Sequence, residues 1–283
     1  MTETRYAAPD ADAVNELVNA ALRSVGSTVP SERWERVAHG SANLVILADD
    51  VAVRVSRTSA AAAQSVRAQQ LVDALPDLPF AVPRSLASPS RNGHLVAIPQ
   101  RRAPGAPHAP GSGEPARLVE LLDALTSVAL PDIEQHLAEP HAYMGGADWY
   151  TVMVAHAIPL LATPARSTAR NAADALAELD TVSPALTHGD LAGANVLWNG
   201  PHVSAVIDWD LASAGDPAED VAALATWHGW TELERRLPSQ VLERARVIAA
   251  TFPIQVICFA IVNQRPAEEL QRAVQRAEAR LIG

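Results

Sequence analysis

A β-hairpin signal between residues 195 and 208 places the strongest constraint on how this chain folds. Asn199-Gly200 is typical of a type I′ turn, and it joins the β-rich run 195–198 to the run 202–207. Such a turn folds the chain back, so Asn195 and Asp208 are expected at the open end of the hairpin. The loop 188–194 leads into that same end. Asp190, Asn195 and Asp208 are therefore predicted to converge there.

The rest of the chain changes character near residue 100. Apolar spacing and β-branched runs before that point predict strands at 44–47, 51–55, 80–83 and 94–98. Helices are predicted at 10–25, 60–75, 115–128, 148–161, 164–179 and over most of 217–283. The stretch 99–115 holds five prolines and three glycines, which indicates a linker. The first hundred residues are thus predicted to be α+β, and the remainder helical around one hairpin.

The polar residues at the hairpin end are suited to a metal and phosphate site. Asp208 and Asn195 offer hard oxygen ligands, which Mg²⁺ prefers when it also binds phosphates. Asp190 is a third acid, which is not needed as a ligand and could accept the proton of a hydroxyl group.

All 22 basic residues are arginine, and the chain contains no lysine. This excludes a Walker A loop, a lysine Schiff base and a Ser-x-x-Lys hydrolase. Phosphate recognition would then fall to arginine and to backbone amides. Arg54 lies on a predicted strand, and Gly40 and Ser41 lie in a turn between strands.

Charge and cysteine content narrow the class further. The net charge is −10, with 32 acidic against 22 basic residues, which argues against a nucleic-acid partner. This charge would suit a cationic small molecule, although a solvated acidic surface is the more frequent cause of such a charge. The single Cys258 excludes an internal disulfide and a cysteine-based zinc site. The first residues of the chain are acidic and polar, and the longest apolar stretch, 252–262, is too short to span a bilayer. Together these features predict a cytoplasmic protein without a membrane segment.

Several segments, taken in order, resemble the aminoglycoside phosphotransferase family. The run Thr187-His188-Gly189-Asp190-Leu191-Ala192-Gly193-Ala194-Asn195-Val196-Leu197 resembles the catalytic loop of that family. Val206-Ile207-Asp208-Trp209-Asp210 is similar to its metal-binding segment. Gly40-Ser41-Ala42-Asn43 looks like its nucleotide loop, and Gly215-Asp216-Pro217 followed by Asp220 looks like its next helix start.

The resemblance implies an α+β, two-lobed protein-kinase-like fold. A small N-terminal lobe with an antiparallel sheet would span residues 1–99 and bind nucleotide. A larger, mainly helical C-terminal lobe would span residues 100–283, with the catalytic and acceptor-binding groups.

The resemblance also implies roles for individual residues. Asp190 would be the catalytic aspartate that positions the acceptor hydroxyl for attack on the γ-phosphate. Asn195 and Asp208 would hold Mg²⁺. The nucleotide, ATP or GTP, would be bound by the residues Gly40, Ser41, Asn43, Arg54, Ile98 and Gln100. Arg54 would contact the α- and β-phosphates in place of a lysine, and the backbone of 98–102 would bind the base.

One departure from the kinase pattern concerns Arg54. In kinases a glutamate on the following helix pairs with the basic residue, but the stretch 58–72 contains no acid. Gln64 or Gln69 would hold Arg54 by a hydrogen bond, or the arginine would stand unpaired.

Other polar residues have a structural interpretation beside a functional one. His188 is expected to brace the catalytic loop rather than act as a base. Asp216 and Asp220 are expected to be caps and loop anchors, with Glu219 completing a capping box. Asp210 is either a second metal contact or a solvated neighbour. The acids Asp132, Glu134 and Glu139 either line an acceptor pocket or lie on a solvated loop.

The function implied is phosphate transfer from ATP or GTP to a hydroxyl of a small molecule. The preferred acceptor is an antibiotic such as an aminoglycoside, a macrolide or a peptide antibiotic. A metabolic kinase for choline, a sugar or a fructosamine is the first alternative. A nucleotide-binding pseudokinase is the second, because the helix glutamate is missing.

Overall fold

The computed structural model describes residues 9–37 and 42–282. Its strands are β1 Glu35–Val37, β2 Asn43–Ala48, β3 Val51–Ser56, β4 Ser90–Asn92, β5 Leu95–Arg101, β6 Ala106–Pro107, β7 Ala185–Thr187, β8 Val196–Asn199, β9 His202–Val206 and β10 Ser213–Gly215. Its helices are α1 Ala11–Ser24, α2 Ser59–Ala74, α3 Pro115–Thr126, α4 Trp149–Thr151, α5 Thr163–Ala177, α6 Ala218–His228, α7 Trp230–Glu234, α8 Ser239–Val262 and α9 Ala267–Ile282.

The chain forms two compact units. The first consists of Met1–Pro107, Asp132–Leu137 and Asn195–Asp210, and the second of His108–Pro131, Ala138–Ala194 and Leu211–Gly283. Two later segments thus belong to the N-terminal unit. Each unit is therefore made of segments that are not consecutive in the chain. The expected lobe boundary after residue 99 stays a prediction.

The first unit is built on an antiparallel sheet of five strands in the order β1-β2-β3-β5-β4. Helix α1 begins at its N-cap Asp10, whose Oδ1 accepts a 2.9 Å hydrogen bond from the amide of Ala13. Its apolar face packs into a cluster that includes Val18, Ile46 and Val53, each fully buried. Burial of this face anchors α1 to the sheet. The antiparallel sheet expected in this part of the chain is confirmed.

Strand β5 runs further than expected, into the predicted linker. It continues through Pro99 to Arg101, because the donor that proline lacks is not needed for pairing with β3. On the other edge, the carbonyl of Pro99 accepts a 2.9 Å hydrogen bond from the amide of Leu86. The strand expected at 80–83 is wrong: Ala81 forms only an isolated bridge to Ala205.

The predicted hairpin is present, but its turn lies one residue later than expected. The register pairs Asn199 with His202, which makes Gly200 and Pro201 the central residues. Gly200 has φ 58°, and the proline ring restricts the next φ to negative values. The turn is therefore of type II′, with glycine first, and not type I′.

The second unit is mainly helical around α8, which contacts α5, α6 and α9. By length and composition α8 could cross a membrane, since its most apolar window has a mean hydropathy of 2.0. Ile254, Ile257 and Cys258 from this helix are fully buried against the surrounding helices. This core position accounts for the apolar composition of α8.

The helix expected at 148–161 is wrong as a continuous α-helix. One α-helical turn at Trp149–Thr151 passes into a π-helix at Val152–Ala157 and then into a tight turn at Ile158–Leu160. Pro159 has no backbone N–H to donate, so the helical hydrogen bonding does not continue past Ile158.

Candidate active site

In the first unit, Arg54 of β3 is bound by two carboxylates from the segment that follows β9. Its Nη1 donates to Asp210 Oδ1 at 2.9 Å, and its Nη2 donates to Asp210 Oδ2 at 2.5 Å and to Asp208 Oδ1 at 2.8 Å. The arginine side chain is only 11% exposed. Burial lowers the pKa of Arg54, but the charges of Asp210 and Asp208 outweigh this and raise it. A permanent positive charge is thus held at this position.

The carboxylate of Asp210 is itself fixed by neighbours. Asn43 Nδ2 donates to Asp210 Oδ2 at 3.3 Å, and Ser65 Oγ of α2 donates to Asn43 Oδ1 at 2.8 Å. From the same helix, Arg67 Nη2 donates to the main-chain carbonyl of Asp210 at 2.5 Å. Asp210 is therefore a structural partner of Arg54 and not a solvated neighbour.

The expected glutamine contacts to Arg54 are not made by the side chain of Gln69. Its Nε2 donates to Asp73 Oδ1 at 2.9 Å and to the carbonyl of Pro83, while its Oε1 accepts from Gln100 Nε2 at 2.5 Å. Gln64 is exposed. The place of a helix acid is taken by Asp210, which is 156 positions after Arg54 in the chain.

Asn195 and Asp208 lie together at the open end of the hairpin, as expected. The carbonyl of Asn195 accepts a 3.0 Å hydrogen bond from the amide of Ile207, the residue before Asp208. Asp208 adopts φ 65°, a left-handed conformation that non-glycine residues rarely occupy. Its side chain is 48% exposed, so a carboxylate oxygen remains open to a ligand. Strain of this kind at the end of a strand is frequently found at functional sites.

In the second unit, the segment before Asp190 is held by buried groups. Asp220 Oδ2 accepts from the amide of His188 at 2.7 Å, and its Oδ1 accepts from the amide of Gly189 at 3.1 Å. The Nδ1 of His188 accepts a 3.3 Å hydrogen bond from the amide of Asp190. Burial raises the pKa of Asp220 to about 7, although the amides of His188 and Gly189 oppose this shift. His188 and Asp220 thus hold the segment before Asp190 in place through hydrogen bonds, as expected.

The helix start at Asp216 differs in detail from the expected capping box. Helix α6 begins at Ala218, whose amide donates to Asp216 Oδ1 at 2.9 Å. Glu219 does not complete a capping box, because its Oε1 pairs with His141 Nε2 at 3.0 Å. The other oxygen of Asp216 forms an ion pair with Arg244 at 2.6 Å.

Ile98 and Gln100 lie in β5, with side chains directed to the interior. Ile98 is fully buried, and Gln100 is 6% exposed. The main chain nearby is already hydrogen-bonded at several points: the amide of Arg101 donates to Arg84, and the amide of Arg102 donates to Asp50. We call the edge of β5 that faces away from β3 its outer edge. The first backbone groups on this edge beyond these hydrogen bonds belong to residues 101–103.

Two residues expected to bind nucleotide, Gly40 and Ser41, lie outside the described residues. Asn43, expected in the same role, is 6% exposed, and both ends of its amide group are bonded to Ser65 and Asp210. It supports Asp210 from the sheet.

The second unit also contains a cavity of about 320 Å³. Polar side chains in its lining are His141, Tyr143, Asp180, Thr181, Asp216, Glu219, Arg244 and Gln255. Burial raises the pKa of Tyr143, and the charges of Glu219 and Asp190 raise it further. His141 adopts φ 59° and packs edge-on against Trp149. Asp132, Glu134 and Glu139, for which a pocket or a solvated loop was expected, do not line this cavity, and Glu139 accepts a hydrogen bond from the amide of Ala147.

A model of the phosphotransferase enzyme family (APH) matches residues 33–251. The chain is 30% identical over 262 residues to the viomycin phosphotransferase of Streptomyces vinaceus, covering 84% of this chain and 89% of that protein.

Solved structures share the fold over almost the whole chain. One is a GDP and kanamycin complex of APH(2")-IIIa, with a TM-score of 0.72 at 14% identity, covering 93% of this chain and 97% of that one. Another is the macrolide 2'-phosphotransferase MphH from Brachybacterium faecium, with a TM-score of 0.67 at 19% identity over 93% and 98% of the two chains. The kinase-like α+β fold expected from the sequence is thereby confirmed. With its antiparallel sheet, its helical unit and its matched motifs, the chain belongs to the phosphotransferase enzyme family.

Proposed function

We propose that this enzyme transfers the γ-phosphate of ATP or GTP to a hydroxyl group of a small-molecule antibiotic. The observation that carries the proposal is the Arg54 guanidinium, held by Asp208 and Asp210 at the end of the hairpin. A buried permanent cation beside an open carboxylate is the chemistry that a nucleotide polyphosphate and its metal ion require.

The donor set at the hairpin end suits Mg²⁺. Asn195 and Asp208 would supply an amide oxygen and a carboxylate oxygen, and the exposed half of Asp208 leaves room for a ligand. In the described residues, no group of three or more aspartate, glutamate, histidine or cysteine side chains is arranged so that it could hold a metal ion. Two protein ligands are enough for Mg²⁺, because phosphates and water complete its shell. The ion would neutralise charge on the β- and γ-phosphates.

Asp190 is the residue we assign to the acceptor hydroxyl. Its role would be to accept the hydrogen bond of that hydroxyl, orient its oxygen toward the γ-phosphate and take the proton as transfer proceeds. The segment that carries it is fixed through His188 and Gly189 by the buried carboxylate of Asp220. A loop held in this way needs little rearrangement when substrates bind.

The nucleotide base would bind along the outer edge of β5. The amide of Arg101 is bonded to Arg84, so the next groups on that edge are the carbonyl of Arg101 and the amide of Ala103. These two groups would pair with the base, just beyond the expected positions Ile98 and Gln100. Gly40 and Ser41 would offer backbone amides to the phosphates.

We assign the acceptor to the cavity lined by His141, Tyr143 and Glu219. The cavity is large enough for part of a drug-sized molecule, and its walls combine apolar surface with several acids. A cationic acceptor, such as a basic peptide antibiotic or an aminoglycoside, fits that charge. The 30% identity to a viomycin phosphotransferase supports the peptide antibiotic as the first candidate.

A direct assay tests the function. Purified enzyme is incubated with Mg²⁺, with ATP or GTP, and with viomycin, an aminoglycoside, a macrolide or choline in separate reactions. The expected result is a product heavier by one phosphoryl group with at least one antibiotic. Transfer to choline alone would favour the metabolic kinase, and nucleotide binding without transfer to any acceptor would favour the pseudokinase. Since the nucleotide is a cytoplasmic metabolite, we place the enzyme in the cytoplasm.

A further inference from the structure

The position of Arg54 depends on a carboxylate that is not on the neighbouring helix. Helix α2 packs against β3 but carries a single acid, Asp73, near its end. Asp73 is occupied by the amide and hydroxyl of Ser85, at 2.8 Å and 2.6 Å. No acid of α2 is therefore available to Arg54, and the counter-charge has to come from another part of the first unit.

Asp208 and Asp210 both contact Arg54, but in different ways. Asp210 binds both terminal nitrogens of the guanidinium through both of its oxygens, and it is 15% exposed. Asp208 makes one contact and is 48% exposed. The bidentate and shielded pair fixes the plane of the guanidinium, whereas the single contact leaves Asp208 able to bind a cation.

Side chains of helix α2 interact with Asp210 by donating hydrogen bonds, directly or through Asn43. Ser65 acts on the carboxylate through Asn43, and Arg67 binds the main-chain carbonyl. In kinases a helix acid binds the basic residue directly. Here the helix offers a hydroxyl and a guanidinium, and the acid belongs to the segment after the metal ligand.

We propose that Asp210 is the positioning residue that aligns Arg54 with the nucleotide phosphates, and that Ser65 and Asn43 hold it in place. A guanidinium has five N–H groups, and the described contacts to Asp208 and Asp210 use three of them. The remaining N–H groups are the ones that would meet phosphate oxygens. This inference rests on the proposed function only in requiring a bound nucleotide.

Nucleotide affinity, measured by calorimetry with Mg·ATP and Mg·GTP and no acceptor, tests the inference. We expect Asp210→Asn to weaken binding by about tenfold or more, since a charge-assisted pair is lost. Asp210→Glu is expected to recover part of the affinity. Ser65→Ala is expected to weaken binding by a smaller factor, and to have no further effect when combined with Asp210→Asn. Asp49→Asn is the matched control, because it breaks an exposed Arg33–Asp49 ion pair in the same unit.

Thermal unfolding of each variant separates positioning from simple support of the fold. The inference is overturned if Asp210→Asn and Ser65→Ala lower the melting temperature but leave the nucleotide Kd within twofold of wild type. If Asp210→Asn does not fold, Ser65→Ala and Asn43→Ala decide by the same criterion. A wild-type enzyme that binds nucleotide but phosphorylates no acceptor would contradict the proposed function and leave this test intact. A wild-type enzyme without nucleotide affinity would overturn both.

Discussion

Asp220 binds the main chain of His188 at a point two residues before Asp190: its Oδ2 accepts the amide hydrogen bond at 2.7 Å. The same carboxylate is only 2% exposed, and burial raises its pKa to about 7. The loop that carries the proposed catalytic group is thus anchored by an acid whose ionised form is costly to bury.

This anchor predicts a specific dependence of stability on pH. Between about pH 4 and 7 the folded protein holds a proton on Asp220 that the unfolded chain has released. The contribution of Asp220 to the free energy of unfolding is therefore fully present at the acid end and declines as the pH rises to about 7. The stability gap between wild type and Asp220→Asn should narrow from pH 5 to pH 8 in urea unfolding. A gap that widens over this range would mean that the amide bonds outweigh burial.

Gly189→Ala tests how closely the loop is packed. Gly189 has φ 76°, and an added Cβ would lie 2.7 Å from the carbonyl oxygen of Leu211. Gly111 is the matched control, since its φ is 77° and nothing lies within 4 Å of the added atom. Both substitutions carry backbone strain, of about 1 kcal/mol or more, but only Gly189→Ala should add a clash. We expect a larger loss of unfolding free energy for Gly189→Ala, together with a lower kcat. Equal losses and unchanged kcat would contradict the packing argument.

Arg54→Ala should raise the KM for nucleotide or lower kcat by about tenfold or more, because it removes a buried charge-assisted contact. Arg54→Lys should be milder, since it keeps the positive charge but loses the bidentate geometry with Asp210. Steady-state kinetics with varied nucleotide measures both effects. If Arg54→Ala leaves both constants unchanged, this arginine does not bind the phosphates.

Removal of the divalent cation should abolish transfer, and excess Mg²⁺ should restore it. Asn195→Ala and Asp208→Asn should each raise the Mg²⁺ concentration needed for half-maximal activity, because each removes an oxygen ligand. Titration of activity with Mg²⁺ measures this. An unchanged Mg²⁺ requirement in both variants would show that the ion is held elsewhere.

The site could be predicted from sequence where its geometry follows from local rules. The hairpin places Asn195 beside the residue before Asp208, because a two-residue turn sets the register of its strands. The type and position of the turn were harder to predict. The central residues are Gly200 and Pro201, one position later than expected, and the proline ring favours type II′ over type I′. Glu219 fits the capping-box pattern, but it pairs with His141, a long-range partner that the pattern does not contain.

The partner of Arg54 could not be read from the chain. Asp210 contacts an arginine 156 positions away, and neither spacing nor periodicity reports a pair at that distance. The sequence signal was the absence of acid from the stretch 58–72, which indicates that the usual partner is missing but does not identify the residue that replaces it. The end of the helical segment at Ile158 had a local signal in Pro159, which has no backbone N–H to donate.

The measurement that most directly tests the central claim compares wild type with Asp190→Ala in two assays, Mg·nucleotide binding and phosphate transfer to viomycin or another antibiotic hydroxyl. We predict transfer by the wild type, loss of transfer in Asp190→Ala, and a nucleotide Kd that is nearly unchanged between them. Transfer that persists in Asp190→Ala at the wild-type rate would contradict the account.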